Sequence, residues 1–286
     1  MANIRLIRRR IRGVQSTAKI TRAMEMIATS KMRRAQEAGV MGRPYDQKIR
    51  QVIADLAGMR QTGDSHPLLQ NREVKKITIV HISPDRGLCG GLNANLNRKT
   101  AGFIMEQATP VTLVGVGRKG IDFMRRYGRE MRAEFTQLGD RPSLLDTLAI
   151  SRVIIDDYTS GYVDRVYLVY TRFVTTMVQT PVMEELLPIK PPESKQTQDT
   201  DFDYEPNPES VLGALLPRFV EMEIYHAILE SIASEQSARM VAMRSATDNA
   251  AELVQDLTLM YNKARQEAIT TELLDISGGA AALAKK

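Results

Sequence analysis

Residues 218–277, RFVEMEIYHAILESIASEQSARMVAMRSATDNAAELVQDLTLMYNKARQEAITTELLDIS, contain neither glycine nor proline. Bounded by Pro217 and Gly278, this stretch would run about 90 Å as an α-helix at ~1.5 Å per residue, whereas an average globular helix has roughly 11 to 12 residues. It does not fit inside a compact domain. Two sets of positions spaced by seven are mostly apolar. One is Leu215, Met222, Leu229, Gln236, Met243, Ala250, Leu257 and Ala264. The other is Leu212, Phe219, His226, Ala233, Met240, Thr247, Val254, Tyr261 and Ala268. The offset of three makes a coiled-coil seam. Ala, Thr, Gln and Met on that seam pack less tightly than Ile and Leu, and flexible Met tolerates rearrangement. The plain reading is helical core with small residues where backbones approach; the functional one is a shaft that bends or twists.

The other end of the chain carries a matching stripe. Ile4, Ile7, Ile11, Val14 and Ala18 are spaced three and four apart, Met24 and Ile27 continue a shifted stripe, and Ile49, Val52, Leu56 and Met59 resume it. We expect one helix of about 55 residues within 1–60, irregular near 39–44 where Gly39, Gly42 and Pro44 cluster. It should run antiparallel to a C-terminal helix over 209–284, the two forming an extended rod.

Residues 74–188 change character. KKITIVHI (75–82), VTLVGV (111–116), 131–135 and RVYLVYTRF (165–173) read as short strands, separated by helical stretches near 91–107, 118–127 and 143–159. This alternation predicts a mostly parallel sheet with crossover helices, with 179–187 as an edge hairpin strand. Residues 181–210 hold six of the twelve prolines and eight acidic residues against two lysines, so 189–208 reads as an extended return connection. The fold class is α/β: a long antiparallel two-helix coiled coil from both termini, with an inserted Rossmann-like α/β domain.

Composition narrows the chemistry. With 43% hydrophobic and 26% charged residues the chain is globular. No apolar run approaches the roughly 18 to 20 residues of a membrane span, and MANIRLIRRR lacks a secretory apolar core, so no direct membrane insertion is expected. Cys89 is the only cysteine, so no intrachain disulfide is possible, and with three scattered histidines it makes no usual zinc site. Residues 1–50 carry thirteen Lys and Arg against three acidic residues, +10, leaving −5 for the remainder. The N-terminal segment should therefore seek an acidic partner.

Three motifs bear on function. Gly115-Val116-Gly117-Arg118-Lys119-Gly120 is a literal GxGxxG between a strand and a helix, with Asp140 twenty residues on, which on its face is a dinucleotide fingerprint. It opens the second βα unit, and Arg118 and Lys119 crowd the pyrophosphate position, so a tight turn is the better reading. Pro84–Asn93 is glycine-rich without the lysine of a P-loop, and reads as a packed loop that caps a helix or contacts a partner. The basic N-terminal helix could neutralise phosphates, yet its apolar face must be buried; acidic protein loops explain both faces, and nucleic acid is not expected. No Ser-His-Asp, Cys-His or HExxH arrangement is visible, so neither an active site nor a cofactor is expected. The alternative is a nucleotide-binding α/β enzyme domain on a helical dimerisation stalk.

Residues 20–32 (ITRAMEMIATSKM), 234–250 (SEQSARMVAMRSATDNA), 261–266 (YNKARQ), 269–280 (ITTELLDISGGA) and 85–93 (DRGLCGGLN) resemble the γ subunits of F-type ATP synthases, and the likeness spans essentially the whole chain. The resemblance implies a non-catalytic rotor: a shaft inside the α3β3 ring, with the inserted domain at its foot on the c-ring beside ε. Turning by proton flow would carry the three β sites through their binding states. It also implies that Arg265, Gln266, Thr270 and Glu272 meet the β catch loops, with Met24 opposite them. Arg8, Arg9, Lys31 and Arg33 would face acidic β lever loops. Relatives in chloroplasts carry an inserted segment with a regulatory cysteine pair, which this chain lacks. With no transit peptide, a bacterial form on the cytoplasmic face of the inner membrane is expected.

Overall fold

A computed structural model describes residues 4–58, 66–190, 204–205 and 207–283. The expected stripe position Met59 and most of the return connection over 189–208 lie outside the described residues. The elements in chain order are α1 (Ile4–Gly58), β1 (Ile77–Ile82), α2 (Leu92–Glu106), β2 (Val111–Val116), α3 (Arg118–Arg126), β3 (Met131–Phe135), α4 (Leu144–Thr159), β4 (Arg165–Phe173), β5 (Gln179–Leu187) and α5 (Pro208–Leu283). The chain divides into two compact units, residues 1–27 with 240–286, and residues 28–239.

Both long helices are more continuous than their breakers suggest. α5 runs through Pro217 and past Gly278, and α1 runs through Gly39, Gly42 and Pro44 as one uninterrupted helix. Tertiary packing outweighs local propensity here. A Cβ on Gly42 would lie 2.6 Å from Cε1 of His226, so glycine at this position lets α1 approach α5 closely.

In residues 28–239 the sheet has the order β3-β2-β1-β4-β5. The first four strands are parallel and β5 returns antiparallel to β4. β1 is buried on both faces, as a central parallel strand should be. One face packs Val80, Ile82, Val114, Val116, Val166 and Leu168 against α4, against Ile49, Ile53 and Leu56 of α1, and against α5 from Leu212 to Ile228. The opposite face packs Ile77, Ile79, Leu113 and Val169 against Leu96 and Ile104 of α2 and Met124 of α3. His81, fully buried on that second face, is held by Thr100 and Asn97 at 3.0 Å each, and burial lowers its pKa to about 4. It is a satisfied core residue.

In the unit formed by residues 1–27 and 240–286, α1 and α5 meet antiparallel. Arg8 reaches Tyr261, the Thr21 and Thr247 hydroxyls lie 2.7 Å apart, and Glu25 accepts from Arg244 at 3.0 Å. Met243, Ala250, Leu257 and Ala264, one of the two expected sets, are all buried at seven-residue intervals. The shifted continuation is corrected at Ile27, which is 55% exposed, while Met24 is half-buried; Thr21 is buried in phase with Ile4, Ile7, Ile11, Val14 and Ala18. Thr21 was missed because a hydroxyl is not counted as apolar, yet in this seam it is partnered by Thr247.

Candidate functional site

The glycine fingerprint is consumed by the chain's own packing. Gly117 has φ +87°, and a Cβ there would lie 1.8 Å from the Ser83 carbonyl oxygen; one on Gly120 would lie 2.3 Å from the His81 ring. The amides at the start of α3 are also taken. Arg118 N–H donates to the Asp85 carboxylate at 2.9 Å, Lys119 N–H to the Pro84 carbonyl at 3.0 Å, and Gly120 N–H to the Ser83 hydroxyl at 2.8 Å. An incoming phosphate would need those same donors. Asp140, twenty residues beyond the fingerprint, holds Lys31 at 2.6 Å.

In open parallel sheets a ligand sits beyond the strand ends where the strand order reverses, here between β1 and β4. α5 fills that position. Ser234 donates to the Thr171 carbonyl at 2.9 Å, Ser237 to the Thr176 carbonyl at 2.8 Å, and Arg239 to the Gly87 carbonyl at 3.1 Å. Beside it, the cavity lined by Ser83, Asp85 and Gly117 measures about 50 Å³, far below the roughly 300 Å³ of a small-molecule site. These contacts also anchor the Pro84–Asn93 loop, which packs on α5, and burial pushes the Cys89 thiol up, away from reactivity.

The remaining candidates are surface residues, and the structure separates them. In the unit formed by 1–27 and 240–286, the observed register sets Arg265 level with Ile4, the first described residue of α1. From Ile269 to Ala280 every residue of α5 is exposed. Arg265, Gln266, Thr270 and Glu272 lie on or next to this bare segment, all exposed. Met24 does not lie opposite them: it sits at the level of Arg244 to Thr247, about twenty residues or ~30 Å away along α5 at ~1.5 Å per residue. The sequence alone could not show this, because pairing level depends on register. Exposed Ile269, Leu273, Leu274 and Ile276, which no heptad argument had singled out, give the bare segment an apolar surface.

The four basic candidates differ in commitment. Arg8 donates to the Tyr261 hydroxyl at 2.7 Å and lies 5.4 Å from its ring centre. Arg9 is exposed. In the other unit, Lys31 is occupied by Asp140, while Arg33 is 80% exposed and pairs with Glu37 one turn along its own helix. Exposed pairs of this kind are worth about 0 to 1 kcal/mol and yield readily to a better anion. Among the described residues no cluster suited to a metal ion occurs, and no helix is long and apolar enough to cross a membrane.

The family model described as ATP synthase matches residues 3–283. The chain is 66% identical over 285 residues to the ATP synthase gamma chain of Dehalococcoides mccartyi strain CBDB1, covering 99% of this chain and 100% of that protein. It is 50% identical over 289 residues to the ATP synthase gamma chain of Roseiflexus castenholzii, covering 100% of both. Among solved structures, a chain of the Euglena gracilis mitochondrial ATP synthase (OSCP/F1/c-ring) aligns with a TM-score of 0.70 at 22% identity, over 98% of this chain and 94% of that one. A chain of the Tetrahymena thermophila central stalk and c-ring aligns with a TM-score of 0.59 at 23% identity, over 79% and 99%.

Proposed function

The chain belongs to the ATP synthase γ-chain family, and on that premise we propose that it is the central-stalk rotor subunit of F1, coupling rotation of the c-ring to conformational change at the β catalytic sites. The observation that carries this reading is the bare segment of α5, whose exposed apolar residues and directional polar groups meet no partner surface among the described residues. An α3β3 ring would supply one. In this reading residues 1–27 and 240–286 form a coiled-coil shaft, and the α/β domain rests on the c-ring beside ε. The subunit is non-catalytic, and it influences ATPase activity and proton flow through its partners. It lies on the cytoplasmic face of the inner membrane, held there peripherally by those partners.

Arg265, Gln266, Thr270 and Glu272 would meet the β catch loops. Guanidinium–carboxylate and amide bonds are directional yet weak when exposed, so they hold without locking. Arg8, Arg9, Lys31 and Arg33 would face acidic β lever loops, and Met24 would act at a separate level of the shaft. The test is assembly of this chain with α and β, with a bead fixed to the α/β domain and ATP supplied. ATP-driven turning is expected, and Arg265→Glu should slow it several-fold while leaving the chain folded. A fully active, rotating complex assembled without this chain would overturn the proposal.

A further inference from the structure

Within residues 28–239, α1, α5 and the β4–β5 pair enclose a solvent-open cleft of about 620 Å³. Its charged lining comes from every wall. α1 supplies Arg43, Asp46 and Arg50; β4 supplies Tyr170 and Arg172; β5 supplies Glu184; α5 supplies Glu223, His226 and Glu230. Four carboxylates thus meet three guanidiniums. The other two groups add no charge near neutrality, because burial lowers the His226 pKa and raises that of the Tyr170 phenol.

The cations are unevenly committed. Arg172 is held by Glu184 and the Tyr170 hydroxyl, and lies 3.9 Å from Glu230. Arg50 bridges the two long helices by pairing with Glu223 on α5, and it also holds Asp46 at 3.0 Å on its own helix. The Glu223 side chain is 20% exposed, against 43% for Glu184 and Glu230. Burial pushes its pKa up to about 7 in spite of the opposing pull of Arg50, with Asp46 and Glu184 adding repulsion.

We propose that this cleft is a proton-binding site: Glu223, the least exposed member of its excess of carboxylates, takes up one proton, which balances carboxylates and guanidiniums and leaves Asp46 as the anion held by Arg50. The proton comes from solvent and adds to a carboxylate oxygen; no other bond is made or broken. Above neutrality the two helices are joined by a half-buried ionic bridge that partial desolvation opposes. Below it Glu223 is uncharged and meets the Arg50 cation only as a dipole. Folded Glu223 holds a proton that the unfolded chain releases from about pH 4.5 upward, so its contribution to stability is full below that value and is lost as pH rises through about 7. In a rotor subunit this would make the grip between the helices respond to the pH around it.

The test uses the full chain on its own and so does not depend on the rotor assignment. Urea unfolding from pH 5 to 8.5 should show the wild type losing stability across the window and Glu223→Gln losing much less. At pH 8 the variant should have an unfolding constant lower by on the order of tenfold, the equivalent of one pKa unit. Arg50→Met should move the wild-type loss to higher pH, because the carboxylate then lacks its cation. An NMR titration of side-chain-labelled glutamate should show one signal, absent in Glu223→Gln, with a midpoint near 7. The same pH profile in wild type and Glu223→Gln, an Arg50→Met loss at unchanged pH, or a Glu223 midpoint below about 5.5 would each overturn the proposal.

Discussion

The two units solve burial differently. Residues 28–239 cover both faces of a five-stranded sheet and hold a core in which Ile53, Val80, Ile150 and Leu216 are each at most 1% exposed. In residues 1–27 with 240–286 a single seam is covered, where small or polar residues such as Ala250, Ala264 and Thr21 alternate with Met243 and Leu257, and most of the surface stays open. Where a core is complete, identity is dictated by packing. Where two helices meet alone, only the seam is, and the remaining faces are free to be recognised.

That contrast can be broken or sharpened by substitution. Gly117→Ala should have the largest effect, above about 4 kcal/mol, since a Cβ at φ +87° would lie 1.8 Å from a backbone oxygen; loss of soluble folded chain would register it. Ile53→Ala should cost about 3 kcal/mol in chemical denaturation, as expected for a well-packed core. Leu257→Ala, in the thinner unit, should cost only about 1 to 2 kcal/mol because its site can relax; a cost equal to that of Ile53→Ala would erase the distinction. Thr21→Val should cost less than about 1 kcal/mol, the net worth of one hydrogen bond. Lys31→Ala should cost less still, about 0.5 kcal/mol or below, since its pair with Asp140 is exposed.

Much of the fold was legible because two periods dominate the sequence. The strands fall at 77–82, 111–116, 131–135, 165–173 and 179–187, within two residues of their reading from alternation and β-branching. α5 was legible from the absence of breakers, although it also passes through Pro217 and Gly278, which no local rule allows for. Thr21 escaped because polarity was read as exposure, and the level of Met24 escaped because register is tertiary. Within the candidate site, the exposure of Arg265, Gln266, Thr270 and Glu272 follows from their place off the seam. The occupation of Lys31 by Asp140 does not, since 109 residues separate the two.

Ser234, Ser237 and Arg239 fasten α5 to the end of β4, to the turn that follows it, and to the loop after β1. β1 is the middle strand of the sheet and β4 its neighbour. A force along this part of α5 therefore enters the sheet at its middle, and the ladders on either side share it as shear across many hydrogen bonds. Had the helix been fastened to β3 or β5, the same force would have peeled an edge strand away one bond at a time.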